Sequence, residues 1–328
     1  MQQINVTFDG FWSGFNCSNN FITRLLRKYY YVNVFEAGEK VDQTDVIFCS
    51  VYYKQVFKYD CIRVFYTGEN FFPDFNIFDY AIGFESLNLG DRYFRYTVTE
   101  ADFCEDIQKL GRRQEMWGNE PFSRKFCATV VSNGLYADPF RDEFFEKLCD
   151  YKMVDSGGSH MNNIGNVKVP EKIPFLSNYK FSLAFENSST SGYCTEKLIQ
   201  SFAAGTIPIY WGDYSLIDGY NIESFIFIES KTDVDLAINK IIEIDNNENE
   251  YMKMLRAPIF MDPNIYEKRK EELTKWLIDI IENSFMGQYR RNKYGYIQVY
   301  SQNYERSLEF LKRQECKKNV YDRIRHFL

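Results

Sequence analysis

The chain has 328 residues, long enough for two domains of ordinary size, each with its own core, and too long for a single small binding module. Its formal net charge of -7 at neutral pH argues against nucleic acid as the main partner, because a duplex binder needs a basic face. Two histidines, His160 and His326, and eight cysteines without a CxxC pair leave a zinc site or a Ser-His-Asp triad poorly supplied.

In chain order, Ile4 to Phe8 reads as a first strand, followed by the glycine- and aromatic-rich loop DGFWSGF and a helix from about Ile22 to Tyr30. DVIFCSVYY and CIRVFYTGEN read as strands that end in polar residues, so the first half predicts a parallel sheet with crossovers. A charged, weakly apolar stretch from about Thr99 to Arg124, with a helical patch near Ile107 to Arg113, is the expected linker. The rhythm then restarts. FCATVVSN gives a strand, Arg141 to Asp150 a helix, KMVDSGG a strand and turn, SFIFIES a strand, and TDVDLAINKIIEI a helix. A long amphipathic helix from about Tyr266 to Phe285 carries Leu273, Trp276, Leu277, Ile280 and Ile281 on one face, and is expected to pack across both halves. The ranges drawn are 1–121, 122–285 and a tail at 286–328.

From Arg290 onward about ten lysines and arginines face about four acids. Tyr304, Leu308 and Leu311, then Val320, Ile324, Phe327 and Leu328, fall at helical spacing. A basic amphipathic tail can lie on an anionic membrane, each basic residue adding up to roughly 1 kcal/mol. It can equally dock on the protein or mediate dimer contacts. Several cysteines lie in apolar runs such as FCS and FCATVV, which suits reduced thiols. No basic n-region and no run of about eighteen apolar residues is present. The expectation is a cytoplasmic protein, with the inner face of the plasma membrane as the surface its tail would meet. Aromatics make up 18% of the chain, 25 Tyr and 30 Phe among them, in keeping with ring stacking on sugars as well as core packing.

The most informative segment runs from Phe181 to Gly212, FSLAFENSSTSGYCTEKLIQSFAAGTIPIYWG. A buried strand leads to Glu186, and Thr195 is placed to cap a helix that reaches Ala204 and stops at Gly205. Lys197 then falls in the first helical turn, beside unpaired N–H groups and the positive end of the helix dipole, where a diphosphate would bind. TIPIYWG reads as the next strand of a βαβ unit, whose ligand edge is the carboxyl end of the first strand. The alternative is a capped surface helix with exposed charges.

The run FENS, Gly192-Tyr193, Thr195-Glu196-Lys197 and Ile207 to Gly212 resembles the donor-binding motif of the α1,3/α1,4-fucosyltransferases, family 10 of the inverting glycosyltransferases. The resemblance extends to Phe65-Tyr66-Thr67-Gly68-Glu69-Asn70 with PDFNIFDYAIGFE, to FCATVVSN…Arg141, and to VDSGG…NNIG, roughly Val64 to Gly212. It implies an α/β fold of two Rossmann-like domains facing across a cleft, the glycosyltransferase B architecture, with GDP-β-L-fucose on the second. An N-acetyllactosamine-like or related glycan would enter from the first, giving a Lewis-type product. It further implies Glu69 as general base and Arg141 as a diphosphate ligand, with inversion by a single displacement.

The residues fit such roles. Glu69 ends the strand IRVFY at a glycine that frees the backbone to turn. Arg141 opens a helical run and can bind two phosphate oxygens, with a salt bridge to Asp142 or Glu143 as the alternative. Glu196 suits the vicinal hydroxyls of a ribose, and Tyr193 could line the guanine or ribose pocket. Glu186 and Asn187 are expected at the fucose or its leaving oxygen. The two glycines of VDSGGSHMNNIG would let backbone approach a phosphate or base, or form an ordinary turn, with His160 as a loop residue. No DxD-like motif stands in a metal-binding setting, and Arg141, Lys197 and the helix amino terminus would make a divalent ion dispensable. Other readings are a transferase of another GDP-sugar, a glycoside hydrolase using Glu69 and Glu186, and a lectin or membrane-surface scaffold.

Overall fold

The computed structural model describes residues 1–102, 110–132, 134–165, 168–213 and 219–325, with backbone alone at 102, 111–112, 312 and 315–325. Ile107 of the expected helical patch, Phe327 and Leu328 of the tail, Cys104 and His326 lie outside the described residues, as do the side chains of Cys316, Val320 and Ile324.

By compactness the chain divides into two units, residues 1–83, 87–94 and 272–328 in the first, and 84–86 with 95–271 in the second. Those ranges are not the ones drawn from composition at 121 and 285. The described parts of the expected linker are bonded into the second unit: Thr99 Oγ1 donates to the Thr195 carbonyl, and Arg124 donates to the carbonyls of Ser177 and Gly205 and to Tyr251.

The first unit is built on a six-stranded sheet of order β2-β1-β3-β4-β5-β6. Its strands are β1 (Gln2–Asp9), β2 (Tyr30–Glu36), β3 (Val46–Cys49), β4 (Ile62–Tyr66), β5 (Tyr80–Gly83) and β6 (Tyr93–Arg95). β1 pairs in parallel with β2 and β3, β3 with β4, and β4 with β5. Every residue of β4 is buried, as expected of a parallel strand covered on both faces. The helix expected from Ile22 to Tyr30 is shorter: α1 spans Phe21–Leu26 and Tyr30 opens β2. Asn20 and Thr23 form a reciprocal capping box at its start, and the alternating, β-branched run after it favours a strand over continued helix.

The second unit holds a five-stranded sheet of order β11-β10-β9-β7-β8. These are β7 (Lys125–Thr129), β8 (Val154–Ser156), β9 (Tyr179–Phe185), β10 (Ile207–Trp211) and β11 (Ile226–Phe227). All its pairings are parallel, and β9 and β10 are buried throughout. Helices α2 (Val98–Asp102), α3 (Phe140–Tyr151), α4 (Lys172–Leu176), α5 (Glu196–Ala203), α6 (Val234–Asp245) and α7 (Glu248–Arg256) belong to this unit. Phe144, Leu148, Phe181, Ile209 and Ile241 pack together as its core.

Helix α8 (Ile265–Phe285) buries Leu273, Leu277, Ile280 and Ile281, four of the five residues expected on its apolar face. Trp276 is half-buried and donates from Nε1 to the Asp91 carbonyl. After α8 the chain is locked to the first unit by Asp79, which accepts the backbone N–H groups of Arg290 and Arg291 and pairs with the Arg291 guanidinium. The last helix, α9 (Tyr296–Arg325), begins as part of that unit. The Tyr300 hydroxyl donates to Asp74 at 2.5 Å, and Tyr304 stacks on Tyr53 and shares a 2.6 Å hydrogen bond with it. The start of the tail therefore docks on the protein. Leu308 is half-buried and Leu311 exposed. Among the described residues no helix is long and apolar enough to cross a membrane.

Candidate functional site

In the second unit the candidate residues gather at the carboxyl ends of β9 and β10 and at the first turns of α3 and α5. Glu186 follows β9 directly, and its N–H donates to the Trp211 carbonyl at 3.0 Å, which fixes it between the two strands. Its carboxylate has no exposed surface. One oxygen accepts the Thr195 N–H at 2.8 Å, and the other accepts the Thr195 hydroxyl at 2.6 Å and Lys197 Nζ at 3.1 Å. Thr195 stands at the N-cap position of α5, as the sequence predicts, yet its own hydroxyl makes no capping bond. Glu186 supplies the negative charge at that helix end instead, because a buried carboxylate gains more there than a neutral hydroxyl does.

Lys197 is thereby bracketed. Its ammonium also donates to Thr195 Oγ1 at 2.9 Å and stands 3.6 Å from Glu196. Burial alone would pull the Lys197 ammonium down, but the charges of Glu186 and Glu196 outweigh it and hold the group above its ordinary value. For Glu196, burial pushes the carboxyl up and the charges of Lys197 and Lys172 more than offset it, leaving the carboxyl below its ordinary value. Glu186, expected at the fucose or its leaving oxygen, is enclosed and engaged by Thr195 and Lys197.

Arg141 lies in the first turn of α3 and is 4% exposed. Its Nη1 donates to Asn187 Oδ1 at 3.2 Å, and its Nε stands 3.6 Å from Asp142. The salt bridge that was its alternative reading is thus present beside the contact to the motif asparagine. Burial lowers the guanidinium from its ordinary value, and Asp142 opposes that shift. Asn187 is itself held, since its carbonyl accepts the Asp138 N–H at 2.7 Å, and Lys231 clamps the Asp138 carboxylate.

Arg141 and Lys197 line one cleft, together with Asp142, His160 and Lys172 and apolar side chains that include Phe145 and Phe185. Tyr193 is 4% exposed and sets its ring edge-to-face on Phe84, with centroids 5.1 Å apart. Gly192 before it has φ +83°, and a Cβ there would lie 2.0 Å from the Phe84 carbonyl oxygen, so only glycine fits.

The glycine pair of VDSGG serves close packing on the end of β7 and the residues just after it. A Cβ at Gly158 would lie 1.8 Å from the Val131 carbonyl oxygen, and Gly157 N–H donates to the Thr129 carbonyl at 3.0 Å. That turn delivers His160 to the cleft, where Nε2, carrying the proton, reaches both Asp142 oxygens at 3.0 and 2.8 Å. His160 and Lys172 were missed as cleft residues. No motif surrounds Lys172, and His160 read as a loop residue because only the fold brings it to Asp142.

Glu69 belongs to the first unit. It is exposed, three residues beyond β4, with its N–H donating to Thr67 Oγ1 at 3.0 Å and its carbonyl accepting the Phe71 N–H at 2.8 Å. The strand end thus presents its carboxylate to solvent.

A family model described as the alpha-(1,3)-fucosyltransferase FucT N-terminal domain matches residues 6–100, and one described as glycosyltransferase family 10 (fucosyltransferase) C-term matches residues 121–276. The alpha-(1,3)-fucosyltransferase FucT of Helicobacter pylori is 36% identical over 224 residues, 59% of this chain and 46% of that protein. A putative fucosyltransferase of Acanthamoeba polyphaga mimivirus is 29% identical over 231 residues, 66% of this chain and 37% of that one. The chain thus spans less than half the length of these two curated relatives. A crystal structure of an alpha1,3-fucosyltransferase with GDP superposes with a TM-score of 0.74 at 27% identity, covering 86% of this chain and 91% of that one. Another with GDP-fucose gives 0.73 at 27% identity over the same shares. The expected fold, two Rossmann-like α/β units of the glycosyltransferase B class, is the fold found. With both halves matched in order and the motif residues assembled as described, the chain belongs to glycosyltransferase family 10, the fucosyltransferases.

Proposed function

We propose that the protein transfers L-fucose from GDP-β-L-fucose to a hydroxyl of an N-acetylglucosamine-containing glycan, forming an α1,3 linkage with inversion. The observation that carries this reading is the pairing of Arg141 with Asn187 and of Lys197 with Glu186 around one cleft. The chain's likeness to an alpha1,3-fucosyltransferase solved with GDP-fucose supports the choice of donor.

In the proposed reaction the acceptor oxygen attacks the anomeric carbon on the face opposite the diphosphate. Glu69 takes the acceptor proton as the new C–O bond forms. The bond between the anomeric carbon and the β-phosphate oxygen breaks, and its electron pair leaves with GDP. Arg141, oriented by Asn187, bonds the departing diphosphate through two N–H groups. Lys197 and the amino end of α5 add positive charge, and Glu196 accepts from the ribose hydroxyls. Glu186 holds Lys197 and the start of α5 in place.

The test is incubation with GDP-fucose and a panel of glycan acceptors, with product linkage read out. An α1,3-fucosylated product is expected, and release of free fucose without nucleotide would point to the hydrolase reading. Glu69→Ala should abolish transfer while GDP still binds, and unchanged turnover in that variant would overturn the assignment of the base. Metal independence belongs to the same proposal: turnover in a chelator should match turnover without one.

A further inference from the structure

Two side-chain cations have been given to the diphosphate, and the carboxylates beside them outnumber them. Lys197 has Glu186 at 3.1 Å and Glu196 at 3.6 Å, and Arg141 has Asp142 at 3.6 Å. Three carboxylates against two cations make a surrounding of net negative sign before an anion of two or more charges arrives. At such separations salt screens little, because the distances fall well inside a Debye length of about 8 to 10 Å. The amino end of α5 is also partly used, since the Thr195 N–H is already given to Glu186. The assigned groups therefore do not balance the ligand they are meant to hold.

The same cleft contains a further cation. Lys172, the first residue of α4, lines it together with Arg141 and Lys197 and is half-buried. Its field reaches Glu196, where it acts beside Lys197 to favour the charged carboxylate. A lysine keeps a compact charge on a flexible four-carbon stem, so the ammonium can shift toward phosphate oxygens when they enter. In the same cleft His160 engages both oxygens of Asp142, which occupies part of that carboxylate's charge.

We propose that Lys172 is a third cationic contact for the diphosphate of the nucleotide sugar. This rests on the donor reading given above and adds a residue that the motif does not include. No bond is made or broken by Lys172. Its part is binding, and its loss should show in donor affinity before it shows in turnover.

The experiment measures binding of guanosine, GMP and GDP to the full chain and to its Lys172→Met and Lys172→Arg variants by titration calorimetry. Lys172→Gln serves as a second neutral variant should the methionine form fail to fold. The neutral variant should lose about tenfold in GDP affinity, the scale of one charge-assisted contact, with guanosine unchanged and the arginine variant near wild type. Its GDP affinity should also depend less on salt. Equal GDP affinity in the neutral variant and the wild type would overturn the role of Lys172 alone. So would a parallel loss of guanosine binding, which marks a ribose, base or structural role. A wild-type chain that binds guanosine and GDP equally would overturn the donor reading itself.

Discussion

At the scale of single residues, the site is a set of charges that cannot be changed one at a time. Glu186 is fully enclosed, so removing the Lys197 ammonium leaves a buried carboxylate with only Thr195 as partner. Breaking one side of a buried pair costs about 3 to 5 kcal/mol, more than the pair itself contributes. Lys197→Ala is therefore expected to lower unfolding free energy by roughly 3 kcal/mol in urea titrations, and Glu186→Gln in the same chain should recover much of it. An additive double variant would show that the pair is not coupled. Glu196 gives the pH dependence. Its folded carboxyl lies below its ordinary value, so its contribution is present above the unfolded value of about 4.3 and is lost as pH falls through the folded one. The stability gap between wild type and Glu196→Gln should shrink between about pH 5 and pH 3. A gap independent of pH would remove Glu196 as its source.

At the scale of elements, what holds the loops is backbone contact that leaves no room for a side chain. Gly192 combines φ +83° with a Cβ position 2.0 Å from a carbonyl oxygen, and Gly158 would meet one at 1.8 Å. Each change to alanine is expected to cost about 2 kcal/mol or more, seen as a lower Tm. Gly158→Ala should in addition weaken GDP binding, because its turn carries His160. The elements that the sequence showed are those whose signal is a continuous apolar run: β4, β9 and β10 are buried along their whole length and were readable as strands. β2 was hidden, since YYVNVFE follows α1 closely and its burial alternates only loosely. Thr195 was placed at a helix start correctly, but its capping partner, nine residues back across a loop, depends on where β9 ends. Lys172 stands in a segment without periodicity or motif, and only the assembled cleft reveals it.

At the scale of the molecule, the carboxyl-terminal segment is anchored where it begins. Its beginning is structural: Arg291 is buried beside Asp79, whose side chain is fully enclosed, and Tyr300 and Tyr304 pack against the first unit. Burial lowers the Arg63 guanidinium to about 10, and Arg291 adds to that shift, so this cluster is crowded with charge as well as enclosed. Removing the chain from Met286 should therefore destabilise the first unit by about 3 kcal/mol or more, because Asp79 loses its arginine. A cut after Leu311 keeps the Arg291, Tyr300 and Tyr304 contacts, so the melting temperature is expected to stay within a degree or two. Comparing the two cuts by calorimetry, and then testing liposome binding with the second alone, separates a structural strap from a membrane contact.

The ion pair of Asp79 with Arg291 joins residues 212 positions apart, and this sets an order on synthesis. Translation at about 5 to 20 residues per second delivers the arginine roughly 10 to 40 seconds after the aspartate. The second unit, residues 84–86 with 95–271, can close during that interval. The first unit, although it emerges first, can complete the surroundings of Asp79 only once Arg291 has arrived, so its final closure is expected to follow that of the second unit.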